Sequence, residues 1–277
     1  MSRISLLQMP KDLGFLDTLK AGPGRSLVYL DVNALEPTVL TEFSQDPGLL
    51  RVYGEGAPFN SIYIAFGAST MLFGDKIRTL YNPLAPTKES VSAVKKAFPT
   101  EYDILKIAYL GMGYNMQPPK LQEDLALKGF DVSLLDATMI YDDFWREYQG
   151  IKRFEHRLRK SHKENGGYIV NARGRPLTIQ ARDLRDVVNR FTQSSGHDVL
   201  MHYILLINRR RLADKLDMRP WCVDEHDCTI WEVADEQVEA VTRVYEECLE
   251  ELNKILGWGI KIKGQVKVGK SFAIKLQ

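Results

Sequence analysis

The chain has 277 residues, of which 44% are hydrophobic and 26% charged, and its formal net charge at pH 7 is +1. This is the composition of a soluble globular protein with one large domain or two smaller ones, and its near-neutral charge gives no general signal for nucleic-acid binding, although a basic cleft remains compatible with it. Three cysteines without framework spacing exclude a disulfide scaffold, and no apolar stretch is long enough for a signal peptide or a bilayer. We therefore expect a cytoplasmic protein without a membrane partner.

The predicted elements alternate between a few strands and many helices. In chain order they are a strand at 25–33, a helix at 37–44, an apolar helical segment at 60–73 that ends at Gly74, helices at 88–97, 101–116 and 134–163, a hairpin at 168–179, a helix at 184–211, a hairpin at 221–231, a helix at 236–256 and a strand pair at 261–275. This order predicts an α+β fold: an antiparallel sheet backed by helices, with a helical insertion at about 55–165.

Two carboxylates are placed at the ends of apolar strands. Asp31 ends the run Leu27–Leu30, Glu36 follows it by about one helical turn, and Asp227, preceded by His226, lies at the centre of the second hairpin. If the two strands are neighbours, Asp31 and Asp227 converge and could hold two divalent cations for phosphoryl transfer.

Other interpretations of these carboxylates stay open. Asp31 could cap the next helix, and Asp227 could be an ordinary turn residue. Alternation along a strand could also place Cys222, His226 and Cys228 on one face as zinc ligands, but a fourth ligand is missing.

Two helices carry candidate functional side chains at a spacing of four. Lys106, Leu110 and Tyr114 share one face, where the lysine could meet a triphosphate and the tyrosine could stack on a base. Gly111 and Gly113 lie inside this helix, which predicts close packing or a bend. On the later helix, the polar residues Arg185, Asn189 and Gln193 form a stripe suited to acceptors on the minor-groove edge of base pairs. A surface lysine, a core tyrosine and a solvated polar face are the alternatives.

In this order, the motifs resemble those of family A DNA polymerases, the bacterial polymerase I and phage type. Asp31 to Glu36 is similar to motif A, Lys106 to Tyr114 to motif B, and His226-Asp227 to motif C. The Arg185, Asn189 and Gln193 stripe is similar to that of the helix that reads the primer-template minor groove. The resemblance covers nearly the whole chain.

The chain also departs from the family pattern at four positions. Tyr102 replaces the motif B arginine, so one triphosphate contact is either absent or supplied from elsewhere, with Lys95 and Lys96 as the candidates. Leu110 replaces a bulky aromatic residue, Asn115 replaces a glycine, and Cys228 replaces the third carboxylate of motif C.

The resemblance implies a DNA polymerase core acting in the cytoplasm of a bacterial or phage-infected cell. It implies catalytic roles for Asp31, Asp227 and Lys106, with the two aspartates holding two Mg²⁺ ions, and a nucleotide site of Lys106, Leu110, Tyr114 and Glu36. Glu36 and Tyr114 would exclude a 2′-hydroxyl. The implied DNA contacts come from a set of four residues: Arg185, Asn189, Gln193 and His226.

The resemblance also predicts how the chain is divided and what it binds. It implies a first palm part at 1–54, fingers at 55–165 and a second palm part at 166–277, with no thumb or exonuclease domain. Its partners would be primer-template DNA, dNTPs and a separate chain that supplies a thumb or a 3′–5′ exonuclease. A non-catalytic DNA-binding scaffold is the alternative function, and a metal-dependent nuclease would leave the Lys106–Tyr114 helix unexplained.

Overall fold

The computed structural model describes residues 13–113, 115–225 and 228–273. Three predicted site residues, Tyr114, His226 and Asp227, therefore lie outside the described residues. Within the described part the helices are α1 Leu13–Leu16, α2 Leu35–Ser44, α3 Pro47–Tyr53, α4 Ile62–Ser69, α5 Gly74–Arg78, α6 Lys88–Ala97, α7 Pro99–Gly113, α8 Pro118–Leu127, α9 Leu134–Glu147, α10 Gln149–Glu164, α11 Val187–Ala213 and α12 Val238–Leu256.

The strands form two antiparallel sheets. They are β1 Arg25–Asn33, β2 Tyr168–Val170, β3 Pro176–Thr178, β4 Met218–Glu225, β5 Cys228–Ala234 and β6 Lys263–Gly269. The larger sheet has the order β4-β5-β1-β6, and β2 pairs with β3 in a small hairpin. The predicted α+β class with an antiparallel sheet and a helical insertion is confirmed. The predicted terminal strand pair is wrong for the described residues, because β6 pairs with β1 alone and is followed by an isolated bridge from Ser271 to Lys20.

The chain divides into two compact units. One consists of Met1–Thr38 and Ser194–Gln277, and the other of Val39–Gln193. The functional boundaries at 54/55 and 165/166 stay predictions. Within the described residues, no helix combines the length and the apolar character that crossing a bilayer requires.

In the first unit, β1 is the central strand of the sheet and is buried on both faces. Leu27 and Tyr29 pack in a cluster with Ile230 of the neighbouring strand, and Val28 and Leu30 alternate to the opposite face. The amphipathic helix α12, which ends at the left-handed Gly257, packs on β1 and β6. This arrangement fixes the direction in which every side chain of β1 leaves the sheet.

In the second unit, α4, α7 and α9 pack around aromatic side chains. Phe66, Tyr109, Phe144 and Tyr148 contact one another with ring centroids 4.9–6.1 Å apart. Burial raises the pKa of Tyr109 and Tyr148 well above the usual tyrosine value, so both phenols stay neutral at any ordinary pH. The cluster holds α7, the predicted nucleotide helix, in a fixed position within this unit.

The predicted boundaries of the apolar segment and of the long helix in this unit are wrong. The segment predicted to end at Gly74 already ends at Ser69, and Gly74 instead begins α5. The long helix predicted at 134–163 is two helices with a break at Tyr148. The break has a tertiary cause, because the buried carboxylate of Asp46 accepts the backbone N–H of Gly150 at 2.6 Å.

Candidate functional site

Asp31 lies near the end of strand β1, where its side chain has a polar neighbour on the adjacent strand. It has the same parity as Leu27 and Tyr29, so it leaves the sheet on the face that carries their apolar cluster. It lies opposite Cys228 on one side and Gln265 on the other. The Gln265 amide donates a hydrogen bond to Asp31 Oδ2 over 3.0 Å. The sequence gives no signal for this partner, which comes from a strand 234 residues further along the chain.

The strand-to-helix link positions Glu36. Ala34 takes φ of +47°, a left-handed conformation that costs a residue with a Cβ atom free energy, and α2 begins immediately after it. Glu36 is in the first turn of α2, where the helix dipole favours a carboxylate. A Cβ atom at Gly196 of α11 would lie 3.8 Å from Glu36 Cγ, so α11 approaches this turn closely. No sequence pattern predicts these roles of Ala34 and Gly196.

The hairpin predicted around Asp227 is present in the described residues. Glu225 at the end of β4 lies opposite Cys228 at the start of β5, and Cys228 in turn lies opposite Asp31. The link between β4 and β5 is His226-Asp227, outside the described residues. The described residues contain no group of three or more histidine, cysteine or carboxylate side chains able to hold a metal. Of the two predicted metal ligands, Asp31 lies within the described residues and Asp227 does not, so the metal site stays a prediction.

The exposed face of α7 carries Lys106 and Leu110. Both are solvent-exposed one turn apart, while Ile104, Leu105 and Ala108 on the other side of the helix are buried. The predicted common face of Lys106 and Leu110 is therefore present, and Tyr114 lies outside the described residues. This face is open to a ligand.

Tyr102, at the position of the family's motif B arginine, packs inward. Its ring meets that of Tyr63 edge-to-face, and the ammonium group of Lys95 lies 5.0 Å from the ring centroid. A lysine therefore lies beside the position that lacks the arginine.

The C-terminus of α7 is closed by a hydrogen-bond pattern typical of helix ends with a left-handed residue. Asn115 has φ of +58°, its N–H bonds to the Met112 carbonyl at 2.9 Å, and the Met116 N–H bonds to the Gly111 carbonyl at 2.9 Å. The Met116 side chain occupies the space beside Gly111, where an added Cβ atom would lie 2.6 Å from Sδ. Close packing thus explains Gly111, whereas a Cβ atom at Gly113 would meet nothing within 4 Å.

The three predicted minor-groove residues do not lie on one regular helix. Arg185 belongs to a 3₁₀ segment, Ala181–Asp186, while Asn189 and Gln193 belong to α11. The single helical stripe predicted from the spacing is wrong in this respect, because the tighter 3₁₀ turn rotates Arg185 relative to the α-helical face. Arg185 and Asn189 still line one cavity of the second unit, together with Asn115 and Glu155.

The comparison with solved structures identifies the fold. The chain is similar to a structure described as "POL domain of Pol1 from M. smegmatis complex with DNA primer-template and dNTP", with a TM-score of 0.73 at 15% identity, over 96% of this chain and 43% of that one. At this identity the likeness establishes the fold, which is that of a polymerase domain.

The sequence comparisons give the family. The family model described as DNA polymerase family A matches residues 16–274, so the chain belongs to that family. It is 24% identical to DNA polymerase I of Aquifex aeolicus (strain VF5) over 86% of this chain, and 25% identical to the DNA polymerase of Mycobacterium phage D29 over 65% of it. These matches span 37% and 25% of the length of the two relatives.

Proposed function

We propose that this chain is a template-directed DNA polymerase core that adds deoxynucleotides to the 3′ end of a primer. Membership of DNA polymerase family A across residues 16–274 is the observation that carries the proposal. Asp31 near the end of the central strand and the exposed Lys106–Leu110 face of α7 support it, because both are positions at which the family's motifs place chemistry. The cytoplasm of a bacterial or phage-infected cell is the proposed location.

Asp31 and Asp227 would hold the two Mg²⁺ ions of this reaction. The donor set fits a hard cation, since Asp31 presents carboxylate oxygens at a partly exposed position and Gln265 orients one of them. When bound, the ions would lower the pKa of the primer 3′-hydroxyl and stabilise negative charge on the leaving pyrophosphate.

The remaining site residues would bind and select the nucleotide. Lys106 would neutralise charge on the triphosphate and could donate a proton to the leaving group, and Leu110 would contact the nucleotide. Glu36 and Tyr114 would exclude a 2′-hydroxyl. Lys95, beside Tyr102, would replace the absent arginine.

DNA would be held by side chains that reach base edges and backbone. Asn189 and Gln193 on α11 and Arg185 just before it would contact the minor groove, and His226 would also contact the DNA. Primer-template DNA and dNTPs are the proposed partners. The separate thumb- or exonuclease-bearing chain stays a prediction, and it requires that the lone chain bind primer-template weakly in a titration.

Single-nucleotide primer extension with Mg²⁺ tests the proposal. We expect extension by the unaltered chain, and a loss in Asp31→Ala larger than the ~100-fold that removal of an outer-shell partner typically costs. Gln265→Leu should cost about 10–100-fold, because Asp31 then loses its orienting hydrogen bond. The control Asp131→Ala removes an exposed carboxylate from the second unit and should leave the rate unchanged.

Each negative result of this experiment would contradict a different part of the proposal. DNA binding without extension by the unaltered chain would favour the non-catalytic scaffold. Full activity of Asp31→Ala would remove the metal-binding role of Asp31 while leaving the family membership intact.

A further inference from the structure

The most basic helical surface of the second unit has no part in the function proposed above. Six basic residues of α10 define it, and we call them the α10 stripe: Lys152, Arg153, His156, Arg157, Lys160 and Lys163. At 100° per residue they fall within an arc of about 140° on the helix, and Ile151, Phe154 and Leu158 form the buried face. All six are solvent-exposed.

The stripe is poorly neutralised by the protein itself. Glu155, the acidic residue of the helix interior, lies outside the arc and pairs with Arg159 at 2.6 Å. Lys160 approaches Glu164 at 3.7 Å. Within the residues that the structure describes, Lys152, Arg153 and Lys163 have no ion pair. Three cations therefore face solvent without a carboxylate partner.

Helix stability does not explain this arrangement. Lys152 and Arg153 lie near the N-terminus of α10, where the helix dipole disfavours positive charge, and the first turn contains no acidic residue. The pairs Lys152–His156 and Arg153–Arg157 have basic side chains four residues apart, a spacing at which like charges repel when both are protonated. A bound anion would offset both the unfavourable interaction with the helix dipole and the repulsion between the basic side chains.

The stripe also lies next to the predicted DNA contacts. Ile151 and Glu155 of α10 line the same cavity as Arg185 and Asn189, all within the second unit. Lys152 is about 60° around the helix from Glu155. The basic surface thus continues from the residues predicted to read the minor groove.

From these observations we propose that the α10 stripe binds the phosphate backbone of duplex DNA, independently of sequence, as an extension of the proposed primer-template contact. The inference rests on the proposed function only in assuming DNA as the substrate. The stripe exposes cations and no aromatic ring, because Phe154 is buried beneath Arg157. Single-strand sites usually add stacking platforms, so a purely cationic surface favours a duplex.

The dimensions agree with this partner. From Lys152 to Lys163 the helix rises about 16 Å, which equals the axial length of roughly five phosphates on one strand of a duplex. Arg157 is already anchored, since its guanidinium donates to the Phe43 carbonyl at 2.7 Å. We therefore expect the three unpaired cations, Lys152, Arg153 and Lys163, to make phosphate contacts that substitution can remove without breaking a hydrogen bond within the protein.

The test is the salt dependence of binding to a labelled 30-base-pair duplex, with a single strand of equal length in parallel. The triple variant K152Q/R153Q/K163Q should lower the magnitude of the slope of log K against log salt by about 2–3, at roughly 0.9 per lost phosphate contact. The control R243Q/K254Q/K261Q removes the same charges, one arginine and two lysines, from exposed positions of the other unit and should leave the slope unchanged. Circular dichroism melts of both variants verify folding.

Other outcomes would overturn the inference. An unchanged slope in the folded triple variant excludes phosphate contacts by the stripe. A loss confined to the single strand assigns the surface to single-stranded nucleic acid. Loss of binding to a labelled poly-glutamate peptide, with the DNA slope intact, assigns it to an acidic protein. Duplex binding without primer extension would contradict the proposed activity and leave this inference standing.

Discussion

The side-chain amide of Asn115 donates a hydrogen bond to the backbone carbonyl of Arg185, over 3.2 Å. The contact joins the end of the predicted nucleotide helix to the segment that precedes the predicted DNA-reading helix. Gln117 in turn donates to the Asn115 carbonyl at 3.2 Å. The resemblance to motif B places a glycine of the family at this position, a residue that allows the left-handed backbone but has no side chain. Asn115 keeps the left-handed conformation, and its side chain adds the hydrogen bond to the Arg185 carbonyl.

Substitutions at Asn115 separate the backbone conformation from the hydrogen bond. Asn115→Gly keeps the left-handed φ and loses the bond, so we expect a loss of about 0.5–1.5 kcal/mol in the free energy of unfolding. Asn115→Ala should lose about 1 kcal/mol more, because its Cβ atom disfavours φ of +58°. Urea denaturation measures both. Equal stability of the two variants would contradict the strain argument.

The two glycines of α7 should respond in opposite ways to alanine. Gly113→Ala adds a Cβ atom in open space and should stabilise the protein by about 0.5–1 kcal/mol. Gly111→Ala should forfeit this gain and lose about 1 kcal/mol or more, because Met116 must move. Thermal unfolding of both variants is the measurement. In a Met116→Ala background the cost of Gly111→Ala should be smaller than in the unaltered chain, and an equal cost in both backgrounds would locate the clash elsewhere.

Replacement of Ala34 by glycine should stabilise the protein. Glycine adopts φ of +47° without the Cβ penalty, and we expect a gain of up to about 1 kcal/mol, reduced by the greater entropy of the unfolded chain. Ala34→Val should destabilise it, because a β-branched residue is least tolerant of this conformation. Melting temperatures check both signs. A more stable valine variant would show that the left-handed turn is not required.

Glu36→Ala tests sugar selection. If Glu36 excludes the 2′-hydroxyl, its removal should raise ribonucleotide incorporation relative to deoxynucleotide incorporation by about tenfold or more, since 1.4 kcal/mol of discrimination corresponds to tenfold. Competing single-turnover reactions with the two nucleotides give the ratio. Glu42→Ala, in the same helix, is the control. An unchanged ratio would remove the selection role from Glu36.

The stability of the first unit should depend on pH through Asp235. Hydrogen bonds from Lys270 and Ser26, each 2.6 Å long, lower the pKa of Asp235 below its ordinary value of 3.8. The carboxylate therefore contributes stability above that ordinary value, and the contribution is lost as pH falls through the lowered folded pKa. The melting-temperature difference between the unaltered chain and Asp235→Asn should be constant from pH 5 to 7 and shrink below about pH 4. A difference that grows on acidification would reverse the assigned sign.

Local patterns predicted several elements well. The apolar run that ends at Asp31 predicted β1, and α6 begins after Thr87, whose side chain forms a capping box with Ser90, and ends at Ala97 as expected. The spacing of Lys106 and Leu110 predicted their shared exposed face. These features depend on neighbours within one or two turns, which a sequence displays directly.

Contacts between distant segments were not predictable in this way. The break at Tyr148 depends on Asp46, about a hundred residues earlier, and the orientation of Asp31 depends on Gln265. The 3₁₀ turn that displaces Arg185 leaves no signature in a stripe spaced by four. The sequence thus did not reveal which distant side chains the tertiary fold brings together, and those contacts determine both the helix boundaries and the surroundings of the site.

The strand order β4-β5-β1-β6 has a consequence for synthesis on the ribosome. Asp31 is translated well before the two strands that flank its own, because both begin beyond residue 227. At roughly 5–20 residues per second, the wait for those strands is about 10–40 s. Val39–Gln193 is one uninterrupted segment and can acquire its core during that interval. Strand β1, which carries Asp31, should therefore become protected from hydrogen exchange later than the core of Val39–Gln193 on a nascent chain.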